Sequence, residues 1–449
     1  MSIAYIHISD IHFGQEKKSG QIIIHDDAKA RLIEDVAAEV KKLPNGRADG
    51  IIVTGDIAFS GSASEYTIAG AWLDQLAAAA GCKITDIQVV PGNHDIDLTK
   101  ISAATKLMLA AIIEKGEDEL DSFLDSEQDR ELLYTRFHAY RPFAEAYNCS
   151  LDCGGGLASD KVIELAPGRT LRFMGLNSAL ICFGKEDKEG SLLLGARQRV
   201  LPPGIAGQEL VVLSHHPLNW LRDSEDARRY VQSRARVFIS GHEHKPDVNV
   251  DPVEDGKDLM RLAAGATVPH KTDEVFTYTY NIIEFDWDGA ADRLKVTIHP
   301  RAWEDEKKDF RADPVRLKGK DPVFFLGCPN FRNGTPVANA PSAPAIIDAA
   351  AAITPDPEVA MPIDDGPKKE TPIPAKYPLV LLKFFRDLTS TERLAILVQL
   401  GGLPPDWDEP VTQAIERRAL DTLSGAGRLP EVEDLISNAI RNRSNRASS

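Results

Sequence analysis

Five runs in the first 240 residues are almost continuously apolar and rich in β-branched side chains: Ala4–Ile8, Gly50–Thr54, Ile87–Val90, Leu210–Leu213 and Arg236–Ile239. They lack the alternation of a half-solvated strand. Such runs predict strands buried on both faces, the pattern of central strands in an α/β sheet. Between them, residues 27–43 and 65–80 place apolar side chains at helical spacing, so strand and helix alternate. Residues 106–114 and 130–147 repeat the helical spacing around an acidic stretch at 117–129. Farther on, Phe276–Phe285 and Arg293–Ile298 read as strands joined by an Asp288-Gly289 turn.

The pattern stops at about residue 333. Residues 333–376 are rich in Pro, Ala and acidic side chains with almost no aromatics, a composition that predicts a flexible linker. Periodicity resumes at Tyr377. Leu379–Phe385 reads as a helix, and Thr389 or Ser390 caps a second one, with Glu392 placed to close a capping box. That helix runs through Arg393–Leu400 to a Gly401-Gly402 stop, and Pro410–Ser424 and Pro430–Ile440 supply two more. The segment 377–443 is thus expected to be a small all-α module with Trp407 as core anchor, and the chain to divide into 1–332, 333–376 and 377–443.

Composition narrows the class. With 449 residues the chain is long enough for two or three domains. It has no apolar run of the 18 or more residues that a membrane span needs. It enters a strand almost at once, with neither the basic nor the apolar region of a signal peptide, so a cytoplasmic location is expected. The five cysteines, at 82, 149, 153, 182 and 328, are odd in number and scattered, which agrees with that compartment. Cys149 and Cys153 form the only close pair, too few for a thiolate metal site. A net charge of −16 argues against a broad basic surface that tracks nucleic acid.

The chemistry lies in the short blocks at the ends of the apolar runs. The blocks are Asp10-Ile-His12, Gly55-Asp56, Gly92-Asn93-His94-Asp95, His215-His216-Pro217 and Gly241-His242-Glu243-His244. Each offers the oxygen and imidazole donors that mid-row divalent cations prefer. Every block stands at the carboxyl end of its strand, where α/β folds gather ligands. A lone Gly-Asp means nothing, but five blocks in this order do.

This ordered set resembles the calcineurin-like metallophosphoesterase superfamily, over roughly residues 1–330. The resemblance implies an α/β fold, a metallophosphoesterase β-sandwich flanked by helices, here followed by the linker and the all-α domain. It implies two divalent metal ions: Asp10, His12 and His244 on one, Asn93, His215 and His242 on the other, and Asp56 bridging them. His94 matches the family's catalytic histidine, with Asp95 to orient it. His216, Asn177 and His270 are expected to be substrate-facing. Manganese is the expected metal; Fe, Ni, Co or Zn also suit these donors. The chemistry agrees independently. Paired cations about 3.5–4 Å apart acidify a bridging water and clamp the phosphoryl oxygens, and a histidine suits protonation of the leaving alkoxide near pH 7.

The core most resembles the branch that includes bacterial cyclic-nucleotide phosphodiesterases, through Gly55-Asp56-Ile-Ala-Phe-Ser-Gly61. The expected activity is therefore hydrolysis of a nucleotide-type phosphodiester. Two alternatives stand beside it. One is a metal-dependent nuclease acting on DNA or RNA, as in the superfamily's DNA-repair members. The other is a recruitment or sensor protein with a regulatory or inactive phosphoesterase core. Residues 377–443 resemble the effector-associated helical adaptors of bacterial conflict and antiviral defence systems, which implies a protein partner or self-association. The insertion at 97–150 comes directly after the third block, which places it either as a lid over the site, whose acidic rim would repel polyanions, or as an extra packing layer.

Overall fold

The computed structural model describes residues 2–16, 22–151, 154–184, 187–252, 257–269, 277–332, 374–407 and 410–447. The expected linker at 333–376 lies almost wholly outside the described residues, as do His270 and Cys153.

Two sheets form the core. In the first, β1 (Ile3–Ile8) pairs in parallel with β2 (Gly50–Val53), and β2 in parallel with β3 (Ile87–Val89). All three strands are buried at every position, as their unbroken apolar character predicts. The second sheet begins with β4 (Leu157–Ala166) and β5 (Arg169–Leu176). It continues in parallel through β6 (Gln208–Leu213), β7 (Ala235–Ser240) and β9 (Leu259–Ala263), with β8 (Asp247–Asp251) at its edge. The first sheet is completed by β10 (Thr279–Asp288), which lies antiparallel to β1, then β11 (Arg293–Glu304), β12 (Asp309–Ala312) and β13 (Val323–Gly327). The sheets face one another through Tyr5, Phe173 and Phe285, whose ring centroids lie 5.1–6.3 Å apart. That is the helix-flanked α/β sandwich expected from the sequence.

Helices α1 (Ile22–Glu39) and α2 (Ala63–Ala80) flank the first sheet. α2 starts at a Ser62–Glu65 capping box and stops at Gly81, whose φ of 72° suits a residue without a Cβ. The insertion is four helices: α3 (Ala103–Lys115), α4 (Glu117–Asp125), α5 (Glu127–Tyr134) and α6 (Tyr140–Ala146). Its acidic stretch is itself helical, because Leu120 and Leu124 are buried on one face. Three of its carboxylates are paired: Asp121 and Asp125 with Arg197, and Glu117 with Arg199. Helix α7 (Ser224–Arg234) leads into β7.

The C-terminal segment folds as α8 (Tyr377–Leu382), a π-helical turn (Lys383–Asp387), α9 (Ser390–Gln399), α10 (Gln413–Gly425) and α11 (Leu429–Ala447). Thr389 caps α9 in a capping box with Glu392. Leu382, Phe384, Leu397, Leu420 and Val432 form its fully buried centre. Trp407 is only half-buried, so aliphatic and phenyl groups on the helices fill the place expected of it. The helices are seated on α2 and α6. Arg386 Nη1 pairs with Asp74 at 2.7 Å, Arg417 pairs with the buried Glu145, and Gln413 Nε2 donates to Arg141 O at 2.9 Å.

Candidate metal centre

The carboxyl ends of β1, β2, β3, β6 and β7 meet where the two sheets close on each other. Backbone bonds stitch the loops there: Asp10 N donates to Gly55 O at 3.1 Å, Gly241 N to His215 O at 2.9 Å, and Val268 N to Asp10 O at 3.0 Å. Close approach accounts for the glycines. A Cβ on Gly92 would sit 2.1 Å from Asp56 Oδ1, and one on Gly241 would sit 2.0 Å from Ser9 Oγ. Five side chains of the site stand on left-handed backbone: Asp10, His12, Asp56, His242 and His244 have φ of 54, 52, 51, 72 and 54°.

Those turns bring the predicted donors together. The ligating atoms of Asp10, His12 and His244 lie within 4.8 Å of one another, and so do those of Asp10, Asp56 and His215. Asp56 Oδ2 is 3.3 Å from His12 Nε2 and 3.3 Å from His215 Nε2. His215 Nε2 also lies 3.1 Å from Asn93 Oδ1 and 3.2 Å from His242 Nδ1. His215 Nδ1 is 2.8 Å from Thr54 O. A carbonyl only accepts, so Nδ1 carries the proton and Nε2 faces the cluster.

Charge is compressed here. Burial alone would push the Asp10 carboxyl up, but His244, 3.2 Å away, and His215 hold it below the usual carboxylate range. Burial would likewise raise Asp56, and its three histidine neighbours hold it low. Burial pulls His215 down, yet Asp56 and Asp10 carry it up to about 9, while burial leaves His242 at about 3. Asp10 Oδ1 is buried, with the His244 imidazole beside it at 3.2 Å. Carboxylate, amide oxygen and imidazole donors converging in one buried cluster fit divalent cations.

His94 sits at the edge of this cluster, its ligating atom within 4.8 Å of those of His12 and Asp56. Its Nδ1 is 2.9 Å from Phe59 O, and its ring stacks on Phe59 at 5.2 Å and 25°. Asp95 acts one layer back. It accepts from Ile57 N, Ala58 N, Gly92 N and Tyr66 Oη at 2.9–3.1 Å, so it fixes the backbone that carries His94 and Asp56. His216 is buried, and its ligating atom groups with those of His215 and His242. Its amide donates to Ser178 Oγ at 3.0 Å, and Nδ1 lies 2.9 Å from the same oxygen. Asn177, buried at the end of β5, has neither side-chain amide atom hydrogen-bonded. His7 belongs to the core, bonded to Thr54 and Asn281 and held near 3 by burial. Two aromatics of the site, Phe59 and Trp220, were not among the residues expected from the sequence; the Trp220 ring lies 4.0 Å from His242. Each stands within four residues of a motif histidine or aspartate, and Phe59 also lies inside the Gly55–Gly61 block.

Residues 3–246 match the family model described as calcineurin-like phosphoesterase, and residues 376–438 match that of the GTPase-associated adaptor domain. The uncharacterized metallophosphoesterase-like protein YydB of Bacillus subtilis (strain 168) is 22% identical over 322 residues, which span 69% of this chain and 61% of that protein. Among solved structures, the NAD nucleotidase NadN of Haemophilus influenzae superposes at 9% identity and a TM-score of 0.32, over 71% of this chain and 55% of that one. A single mutant of Vps29 from Entamoeba histolytica superposes at 13% identity and a TM-score of 0.30, over 72% and 99%. No described helix is long and apolar enough to cross a membrane.

Proposed function

This chain belongs to the calcineurin-like phosphoesterase family, and on that premise we propose that it hydrolyses a nucleotide-type phosphodiester at a two-cation centre. Asp10, His12 and His244 would hold one cation, Asn93, His215 and His242 the other. The observation that carries the reading is Asp56 Oδ2, a single carboxylate oxygen 3.3 Å from an imidazole of each set. Bound there, paired divalent cations would neutralise phosphoryl oxygens and acidify water.

The chain's own residues do the rest. His94 is held by Phe59 O at Nδ1, which leaves Nε2 to pass its proton to the leaving oxygen. Asp95 keeps the His94 loop in register with Asp56 through backbone amides. Ser178 Oγ, already accepting the His216 amide, turns its hydrogen toward Nδ1 of that ring. His216 then presents Nε2–H, a donor for a phosphoryl oxygen. The C-terminal helices, matched to an adaptor domain, would recruit a protein partner.

The test is substrate profiling of the purified protein with manganese, beside Asp56→Asn. Wild type is expected to turn over aryl and nucleoside phosphodiesters with two metals bound. Asp56→Asn is expected to lose both metal and activity while its far-UV circular dichroism stays. Wild-type turnover by that variant would overturn the assignment. Nicking of single-stranded DNA in place of small diesters would turn the reading toward a nuclease.

A further inference from the structure

An aromatic ring flanks the centre on each side. Phe59 stacks on His94. Away from it, the Trp220 ring stands nearly perpendicular to that of His242, at 84° with centroids 4.0 Å apart, and tilted against His216 at 5.8 Å. Trp220 is half-buried, and everything around it fixes the plane of the ring. Pro217 opens the short 3-10 turn that carries it. Trp220 N donates to Pro217 O at 3.1 Å, and Leu192 N donates to Trp220 O at 3.1 Å. The indole Nε1 donates to Glu243 Oε1 at 3.3 Å, and the same oxygen takes Asn219 Nδ2 at 3.2 Å.

A rigid aromatic with one polar edge satisfied presents area at small entropic cost. The one hydrogen bond of the indole goes to an exposed carboxylate, that of Glu243. We propose that Trp220 determines substrate specificity, by stacking on the nucleobase of the ester group that stays on phosphorus when the leaving group departs toward His94. The two sides are set by the histidines: His94 groups with His12 and Asp56, Trp220 with His216 and His242. Every base has a π-face, so the platform selects nucleosides over alkyl groups without choosing among bases. The proposal rests on the phosphodiesterase reading above and adds to it which part of the substrate is recognised, and by what.

The experiment uses the full-length manganese enzyme and two esters with the same leaving group, thymidine 5′-(p-nitrophenyl) phosphate and methyl p-nitrophenyl phosphate. In Trp220→Leu the ratio of kcat/KM for the nucleoside ester over the methyl ester is expected to fall about ten- to hundredfold, the range of one base stacked on one ring. The loss should reside in KM, and Trp220→Phe should restore most of the ratio. An equal proportional loss on both esters would overturn the proposal, for then the indole only supports His242. Should Trp220→Leu fail to hold metal, inhibition of the wild type decides. Thymidine 5′-monophosphate is expected to inhibit at least tenfold more tightly than methyl phosphate, and equal inhibition overturns the proposal. Hydrolysis of neither ester by wild type defeats the phosphodiesterase reading itself, a distinguishable result.

Discussion

Asp10, His12, Asp56, His242 and His244 each hold a backbone conformation that costs a non-glycine residue roughly 1–2 kcal/mol. Hydrogen bonds such as Ile11 N to Asp56 O and Phe13 N to Ile57 O, both 2.9 Å, keep them there. The identity and order of these residues were legible because the chemistry needs those donor types. Their dihedral angles were not, since nothing in a single residue's type reports the loop that constrains it. The compressed charge has a consequence for stability. His215 rises to about 9 in the folded, cation-free protein against an ordinary value of 6.5. Its contribution is therefore full below pH 6.5 and is lost as pH rises through 9. The melting temperature of chelated protein should fall across that window, the fall should flatten with saturating manganese, and His215→Gln should abolish it in the chelated state. His94→Ala should keep its metal and lose about 10²–10⁴ in turnover of alkyl esters. The loss should be smaller for a nitrophenyl ester, whose leaving group needs no proton; metal analysis and steady-state rates check both.

At the scale of elements, five central strands and the β10–β11 pair were legible, β4, β5, β8, β9, β12 and β13 were not delineated, and the insertion was legible only in part. Central strands lack alternation, so burial alone identifies β1, β2, β3, β6 and β7. Residues 130–147 carry one helical spacing, yet the structure breaks them with a 3-10 turn at Thr135–Phe137. There the buried Arg136 turns its carbonyl to accept Asp97 N at 2.9 Å, a tertiary demand that periodicity does not record. The seat of the C-terminal helices was equally hidden. Arg386 meets Asp74 and Arg417 meets Glu145 across more than 250 residues of chain, and any surface arginine looks the same in sequence. Gly70 helps, since a Cβ there would come within 3.1 Å of Arg386 Cδ. Glu145 is 5% exposed, so Glu145→Gln takes away the buried one of Arg417's two charged partners and leaves the half-exposed Asp421 at 3.1 Å, at about 1–3 kcal/mol. Amide exchange should quicken in α8 and α10 and stay unchanged in β1, β2 and β6. Uniform quickening would show that the helices and the sandwich unfold as one.

For the molecule as a whole, every proposed cation ligand precedes residue 245, while Tyr377, Phe385 and Leu382 are buried beyond it. A chain ending at residue 332 should therefore keep its metals and hydrolyse model diesters within a few-fold of full length. It should also melt lower, because the faces of α2 and α6 lose their cover. A metal-free truncated protein would show that the C-terminal helices belong to the same folding unit as the metal centre. The order of the strands reaches further, into how the protein is made. β1 lies between β2 and β10, with Ile3 opposite Phe285. Its outer edge thus waits for a strand that leaves the ribosome some 280 residues later, on the order of 15–60 s at usual rates of synthesis. Throughout that wait an apolar strand with unpaired amides is open to any passing chain. β1 is thus sealed long after it is made, and a nascent chain stalled before β10 leaves that edge open to aggregation and in need of a chaperone.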